Sequence, residues 1–385
     1  LTPFTAADGT PVSKSNLVRR KQVQSRFAGG VFSVSYRGKQ LGAAVGGALN
    51  YYKNHHVGRI VWVKNYLGDL DPDHEYYRNI GRKTDGNLYG KVSYEPVRGL
   101  SLYADLQYRY TRFKINGTGD KWDYTADPAH IQRLAVDAPF HFFNPKGGIS
   151  WTVNPHHNIY ASVAVGHKEP TRNNYTDNIV TVNPRAERMT DYEAGYTFRN
   201  SRFHAGANFY LMDYTDQLVL TGEMNEIGEP MTENVRDSYR MGVELTAGVA
   251  ILPCLRWDVN ATWSRNRIRL ESGSVPIAFS PDFMANSLIA FELKGWSASL
   301  QTQYVDRQFL SNENDRTCML DAYCVSNLNV AYTFPLRGLK SITLGATVYN
   351  LFNEQYESNG YASDGYAAYY PNAGINALGH VTLSF

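Results

Sequence analysis

Tyr192 to Leu211 reads YEAGYTFRNSRFHAGANFYL, and the fold turns on how this stretch alternates. In its first half Tyr192, Ala194, Tyr196 and Phe198 share one side of an extended chain, with Glu193, Gly195 and Thr197 on the other. Arg199-Asn200-Ser201 intervenes, and the alternation resumes with Phe203, Ala205, Ala207, Phe209 and Leu211 against His204, Gly206, Asn208 and Tyr210. Period two on both sides of a short polar link is a β-hairpin with a tight turn. One face is apolar and the other small or polar, so the two faces meet different surroundings.

The same device recurs toward the carboxyl end. Trp257, Val259, Ala261 and Trp263 oppose Asp258, Asn260, Thr262 and Ser264; Leu328, Val330, Tyr332 and Phe334 oppose Asn327, Asn329, Ala331 and Thr333; Ile342, Leu344, Ala346 and Val348 oppose Ser341, Thr343, Gly345 and Thr347. Short turns fall near Arg37, Glu95, Asn154, Arg199, Ala250, Lys294 and Pro335. Long polar segments separate them: Lys53 to Asp85, Arg112 to Pro145, His167 to Thr190, Tyr214 to Asp237, Arg269 to Phe283, Arg307 to Tyr323 and Leu351 to Gly379. The count is about 15 strands. Residues 1–25 read as the tail of an outer loop, the first strand runs from Phe27 to Tyr36, and residues 26–385 supply strands and loops.

A long loop at every second connection puts all long loops at one end of the sheet and all tight turns at the other. That pattern predicts an all-β, antiparallel up-and-down barrel that spans a membrane, with its apolar face toward lipid. In a soluble sandwich, repeated loops beyond about 15 residues are hard to accommodate. Tyr51, Tyr52, Trp151, Tyr160, Trp257, Trp296, Tyr304 and Tyr349 lie near strand ends and are expected to form interfacial girdles. Glu193, Thr197, His204, Asn208, Asp258, Asn260, Thr343 and Thr347 are expected on the lumen side.

Composition agrees. Among 385 residues, 28 are Tyr against 17 Phe, 32 are Gly, and mean hydropathy is negative, which suits β-structure with polar loops. No stretch approaches the roughly 18 apolar residues of a membrane-spanning helix. A net charge of +2, with no basic run longer than Val18 to Lys21, gives no pull toward nucleic acid. An odd strand count cannot close a bacterial barrel, where counts are even. The chain is therefore expected to be the carboxyl-terminal part of a larger barrel, cut in an outer loop before Leu1.

Three segments in order carry a family resemblance: ATVYNLFNEQYESNGY from Ala346, YYPNAG from Tyr369, and the terminal HVTLSF. Together they resemble the carboxyl end of TonB-dependent outer-membrane receptors. VGHKEPTRNNYTD (Val165 to Asp177), NPRAERMTDYEAGYTF (Asn183 to Phe198) and the early GVFSVSYRGKQLGAAVGGALNYY are similar to further passages of that family. The resemblance implies about 22 strands around a plug, of which the plug and first strands lie outside this sequence. It also implies residence in the outer membrane of a Gram-negative bacterium, in contact with its lipid. A scarce iron chelate, most simply a ferric siderophore, would be imported, with the energy-transducing TonB complex engaged through the absent amino-terminal region. Phe385 matches the terminal aromatic read by the barrel-insertion machinery.

Haem and cobalamin import, or a passive porin or surface binding protein on a similar barrel, are the rival readings. Haem receptors of this family are expected to carry a histidine between two boxes that correspond here to GHKEPT and NPRAE, and none falls between them. His167 precedes the interval, and His55, His56, His74, His130 and His141 fall in other expected loops. An anionic ferric chelate calls for cations and stacking rings. By loop placement these are His167, Lys168, Arg172, Tyr175, Trp122, Tyr124, Tyr361, Tyr366, Tyr369 and Tyr370. Cys318 and Cys324 are spaced for a small disulfide loop or for two unlinked thiols.

No enzyme pattern emerges. Asp69, Asp71, Asp73 and Glu75 alternate, but the EF-hand positions for Gly and Glu hold His74 and Ile80. His74-Glu75 lacks the second histidine of a zinc-protease helix, and no metal site or resident cofactor is expected.

Overall fold

The computed structural model describes residues 4–6, 9–69, 71–124, 126–177, 183–224, 230–363 and 366–385. Residues 1–3 of the expected tail, and residues 178–182 of the interval searched for a haem histidine, lie outside them.

Fifteen antiparallel strands follow one another in one sheet, in chain order and without a crossover. They are β1 (Leu17–Arg37), β2 (Leu41–Val63), β3 (Glu75–Val97), β4 (Leu100–Asp123), β5 (His130–Asn154), β6 (His157–Lys168), β7 (Glu187–Arg199), β8 (Phe203–Met224), β9 (Pro230–Leu252), β10 (Leu255–Leu270), β11 (Phe283–Leu293), β12 (Trp296–Val305), β13 (Tyr323–Phe334), β14 (Ser341–Tyr349) and β15 (Asn376–Ser384). Residues Gly273–Pro276 add a short strand beside β10. The hairpin of Tyr192 to Leu211 pairs in register, Ala205 with Phe198 and Ala207 with Tyr196. β1 and β15 end the path, each with one strand partner among the described residues.

Tight connections and long ones alternate as expected, but the strands reach much further toward the long-loop end. β4 has 24 residues and β5 has 25, against 9 in β14 and in β15. A tilted strand needs about 9–11 residues to cross a bilayer. The expected loops Lys53 to Asp85, Arg112 to Pro145 and Tyr214 to Asp237 are therefore mostly strand. Among the described residues only 64–69, 71–74, 124 and 126–129 lie between the elements there. His55, His56 and His141 are strand residues, and β1 starts at Leu17, inside the segment read as loop tail.

The cause is a reversal of the apolar face. On β4, Leu102, Leu106 and Tyr108 point outward and are exposed, in the band that faces lipid. Past Tyr110 the outward positions become Arg112, Lys114 and Asn116, while Phe113 and Ile115 point inward and are buried. Above the band the outer face is polar and the inner face carries the core. Phe113, Ile115, Leu134 and Val136 form one such cluster with Tyr175. Val219, Ile268 and Ile277 form another.

Along the band the polar inner face is knit by short side-chain bonds. Tyr160 donates to Asn208 (2.8 Å), Asn208 to Glu244 (3.2 Å), Asn286 to Asn260 (3.1 Å) and Asn329 to Thr347 (2.7 Å). Tyr160 and Tyr52 thus belong to this face and not to a girdle; Tyr52 lies 2.7 Å from the Ser25 hydroxyl.

A recurrent pairing explains the high Tyr and Gly content. Tyr89 stands directly opposite Gly46, Tyr103 opposite Gly148, Tyr160 opposite Gly195 and Tyr210 opposite Gly242. In each pair a Cβ on the glycine would meet the tyrosine ring or hydroxyl at 2.4–2.7 Å, so the side chain lies over the bare backbone of its neighbour. Direct cross-strand pairs of this kind are the unit of sheet stabilisation.

Candidate functional site

Above the band, the connection after β6 turns inward and hangs a five-residue helix, α1 (Arg172–Thr176), against the inner face of β3–β5. Asn174 accepts from the Thr171 backbone N–H (2.7 Å) and donates to Thr232 (2.9 Å), which fixes the helix start. Gln132 and Lys121 bond the carbonyls of Thr176 (3.2 Å) and Asp177 (2.7 Å) at its end. Arg172 Nη2 donates to Asn79 (2.8 Å). The Tyr175 ring packs 5.9 Å from Phe113 and is 5 % exposed, and its hydroxyl has no hydrogen-bond partner among the described residues.

The entry to the helix is held by charge. Glu169 accepts two bonds from Arg109, each 2.9 Å, and a third from Lys83; Arg109 also bonds Asp85. Burial alone would raise the Glu169 carboxyl, but Lys83, its own backbone N–H and Arg109 outweigh it and hold it low. Burial and the charge of Arg172 push His56, on β2 beside Asn54, down to about 4, so it is a neutral group at pH 7. Burial and the charge of Glu169 push the Tyr175 phenol up to about 12, so it stays protonated. α1 thus carries a guanidinium fixed by Asn79 and a buried phenol, and the strand face beside it carries a neutral imidazole.

A second group of loops gathers on the other flank. Leu310, Cys318, Leu320 and Ala362 form a buried cluster that joins the connection before β13 to the hairpin Glu357–Ser363 and Tyr366–Pro371. Asn312 bonds the Leu220 carbonyl of β8, which ties this group to the middle of the sheet.

Residues 3–351 match the sequence model for the β-barrel of TonB-dependent receptor-like proteins. The chain belongs to the TonB-dependent receptor family. Its barrel is similar to solved structures of the ferric yersiniabactin uptake receptor FyuA from Yersinia pestis (TM-score 0.67, 14% identity, 94% of this chain and 54% of that one). It is also similar to the copper transporter OprC (0.78, 17%, 95% and 59%) and to the unliganded ferric citrate transporter FecA (0.72, 13%, 96% and 55%). At such identities the likeness establishes the fold. The chain spans little more than half the length of each of these receptors.

The receptor barrel sorts the expected ligand residues into separate groups. Arg172 and Tyr175 sit together on α1, and Lys168 lies nearby on β6 with Glu187 (3.1 Å). The His167 ring stacks on Phe142 at 5.2 Å and bonds Asn144 (2.8 Å) above Lys146–Ala164, the last β5–β6 pair before the loop. Tyr361 and Tyr370 pair at 6.2 Å in the distal hairpin, where Tyr366 and Tyr369 are also exposed. Trp122 is at the end of β4, opposite Ile131 on the outward side, 6.5 Å from Tyr124, and does not face the site. Cys318 is buried, Cys324 is exposed on β13, and both are free thiols, which corrects the disulfide alternative. Phe385 follows β15 and is exposed.

Sequence reasoning missed Arg109, Lys83, Asp85 and Glu169. Arg109 continues the inward alternation of Asp105 and Gln107, a signal present in the sequence.

Proposed function

We propose that this receptor barrel is the carboxyl-terminal part of an outer-membrane transporter of a Gram-negative bacterium that imports an anionic ferric chelate of the siderophore class. The observation that carries the reading is α1, a short helix locked to β3, β4 and β5 on the inner face, which fixes the Arg172 guanidinium against Asn79 and holds the Tyr175 phenol buried beside it. A cation and a phenol held in place suit a multiply charged chelate better than a bare ion. Two of the similar structures are receptors for ferric complexes, FyuA and FecA. OprC is a copper transporter, which makes a copper chelate the rival ligand for the test below.

In this reading the loops capture the chelate, the TonB complex acts on a plug contributed by the rest of the receptor, and the polar inner face lines the path. The test is binding of a ferric catecholate, a ferric hydroxamate, haem and a copper chelate to the full-length receptor, followed by fluorescence quenching. A ferric siderophore should bind saturably, and Arg172→Ala should weaken it about tenfold or more, the loss of a charge-assisted contact. Saturable binding of haem or copper alone, or unenergised flux through the receptor in vesicles, would overturn the assignment.

A further inference from the structure

Charge is distributed unevenly between the two ends of the barrel. At the long-loop end cations are paired: Arg59 and Arg78 with Glu75, Lys83 and Arg109 with Glu169, Arg112 and Lys114 with Asp137, and Arg267 with Asp282. The tight turns differ. Arg37 and Lys39 mark the β1–β2 turn, and later turns carry Arg98, Arg199, Arg202, Lys294, Arg337 and Lys340. All of these are exposed, and none has a carboxylate partner among the described residues. Glu95 and Glu292 are the acidic residues of the same turns, and Glu95 is engaged by the Gly99 backbone N–H (2.7 Å). Turn geometry favours Gly, Asn, Pro and Asp, so the fold itself does not call for cations there.

A recess opens among these turns. The β5–β6 and β7–β8 turns are zipped together: the Arg199 N–H donates to the His156 carbonyl (2.9 Å), and His156 Nδ1 donates to the Arg199 carbonyl (2.8 Å). Beside this junction lies a cavity of about 360 Å³ lined by Asn154, His156, His157, Thr197, Arg199 and His204, with no carboxylate in its wall among the described residues. Asp258, 3.6 Å from His204, is already held by Arg256 (2.6 Å). Thr197 and His204 share the inner face with Asn208, so the recess opens at the mouth of the barrel, away from the surrounding lipid.

The cations run from the β1–β2 turn to the β13–β14 turn, roughly 60 Å of rim at about 4.8 Å per strand. A protein interface of ordinary size buries about 800 Å² a side and is about 30 Å across. An extended polyanion therefore fits the arc better than a compact acidic partner.

We propose that the turn end of the barrel docks a carboxylate-bearing polymer, the peptide-linked glycan of the cell wall, with the cations holding it along the rim and the Arg199 recess seating one carboxylate. The inference rests on the outer-membrane reading, which places the tight turns in the periplasm with that wall. A guanidinium grips a carboxylate through two parallel donors, and the Thr197 hydroxyl lies in the same wall of the recess.

The test is co-sedimentation of the detergent-solubilised full-length receptor with purified cell-wall sacculi. Wild type should sediment with native sacculi and stay in solution with sacculi whose carboxylates have been amidated. The variant R199Q/R202Q should bind roughly twentyfold more weakly, since each cation at an anionic surface contributes about a factor of five, and R199K/R202K should keep most of the affinity. If R199Q/R202Q fails to fold, R337Q/K340Q on a separate turn should show a loss of similar size. Equal sedimentation by the neutralised variants, or equal binding to amidated sacculi, would overturn the proposal. Loss of retained phosphatidylglycerol by R199Q/R202Q, with sacculus binding intact, would overturn it in favour of a lipid site. Ser201→Cys should react with an impermeant maleimide only after cells are permeabilised. Labelling in intact cells would remove the outer-membrane reading and the docking together, whereas failed sedimentation with correct labelling would remove the docking alone.

Discussion

Arg109 meets Glu169 as two parallel bonds, Nη1 to Oε2 and Nη2 to Oε1, both 2.9 Å, across 60 residues of sequence. This fork-to-fork contact anchors the loop bearing α1 to the wall of the barrel, with Lys83 and Asp85 completing the cluster. Bidentate pairs of this kind fix orientation as well as distance.

Glu169→Gln should therefore free the loop without unfolding the sheet. The expected loss is about 1.5–3 kcal/mol of local anchoring, the range for hydrogen bonds to charged groups. Amide exchange over residues 169–177 should quicken about ten- to a hundredfold. Unchanged protection there would show that the strand side chains alone hold α1.

The same anchor has a defined pH response. The Glu169 carboxyl titrates below its ordinary value in the folded protein, so its contribution is complete above the unfolded value, about 4.3, and is lost as pH falls through the lower folded one. Loop exchange corrected for intrinsic rate should be flat from pH 7 to 5 and rise only below about pH 4. Release between pH 7 and 5 would assign the anchor to another group.

Tyr175→Phe removes a buried hydroxyl that has no hydrogen-bond partner among the described residues. Melting of the ligand-free receptor should hold or rise, because an orphaned buried polar group costs about 1–3 kcal/mol. Chelate affinity should fall if that hydroxyl is reserved for ligand. A lower melting temperature with unchanged affinity would make Tyr175 a packing residue only.

Gly195→Val forces Tyr160 off the backbone it covers and breaks the bond to Asn208. Overpacking of this kind costs about 1–3 kcal/mol, read as a lower urea midpoint, whereas Gly90→Ala, with open space around its Cα, should be close to neutral. Equal effects would mean that the rings move aside freely.

Iodoacetamide under denaturing conditions without reductant should add three labels, at Cys254, Cys318 and Cys324. A single label would establish a disulfide between two of them.

The strand order, the alternation of turn lengths and the two faces of the band were legible because lipid outside and polar lumen inside impose one period-two pattern on hairpins such as Tyr192 to Leu211. The extensions beyond the band were not. Phe113 and Ile115 point in where Leu102 and Leu106 point out, so the alternation changes sign in mid-strand, and tyrosine- and glycine-rich sequence at that height resembles loop. Trp122 was misplaced for this reason. The Arg109–Glu169 contact was hidden by its sequence separation.

Tyr89, Tyr103, Tyr160 and Tyr210 place their bulk over glycine backbone, where a ring takes up little of the bore. How far these rings stand off the polar inner face is thus set by residues that have no side chain at all. A single added methyl at Gly46 or Gly148 would collide with the facing ring and should displace it. Conductance through an emptied pore should accordingly respond to such methyls more sharply than to many changes of lining charge.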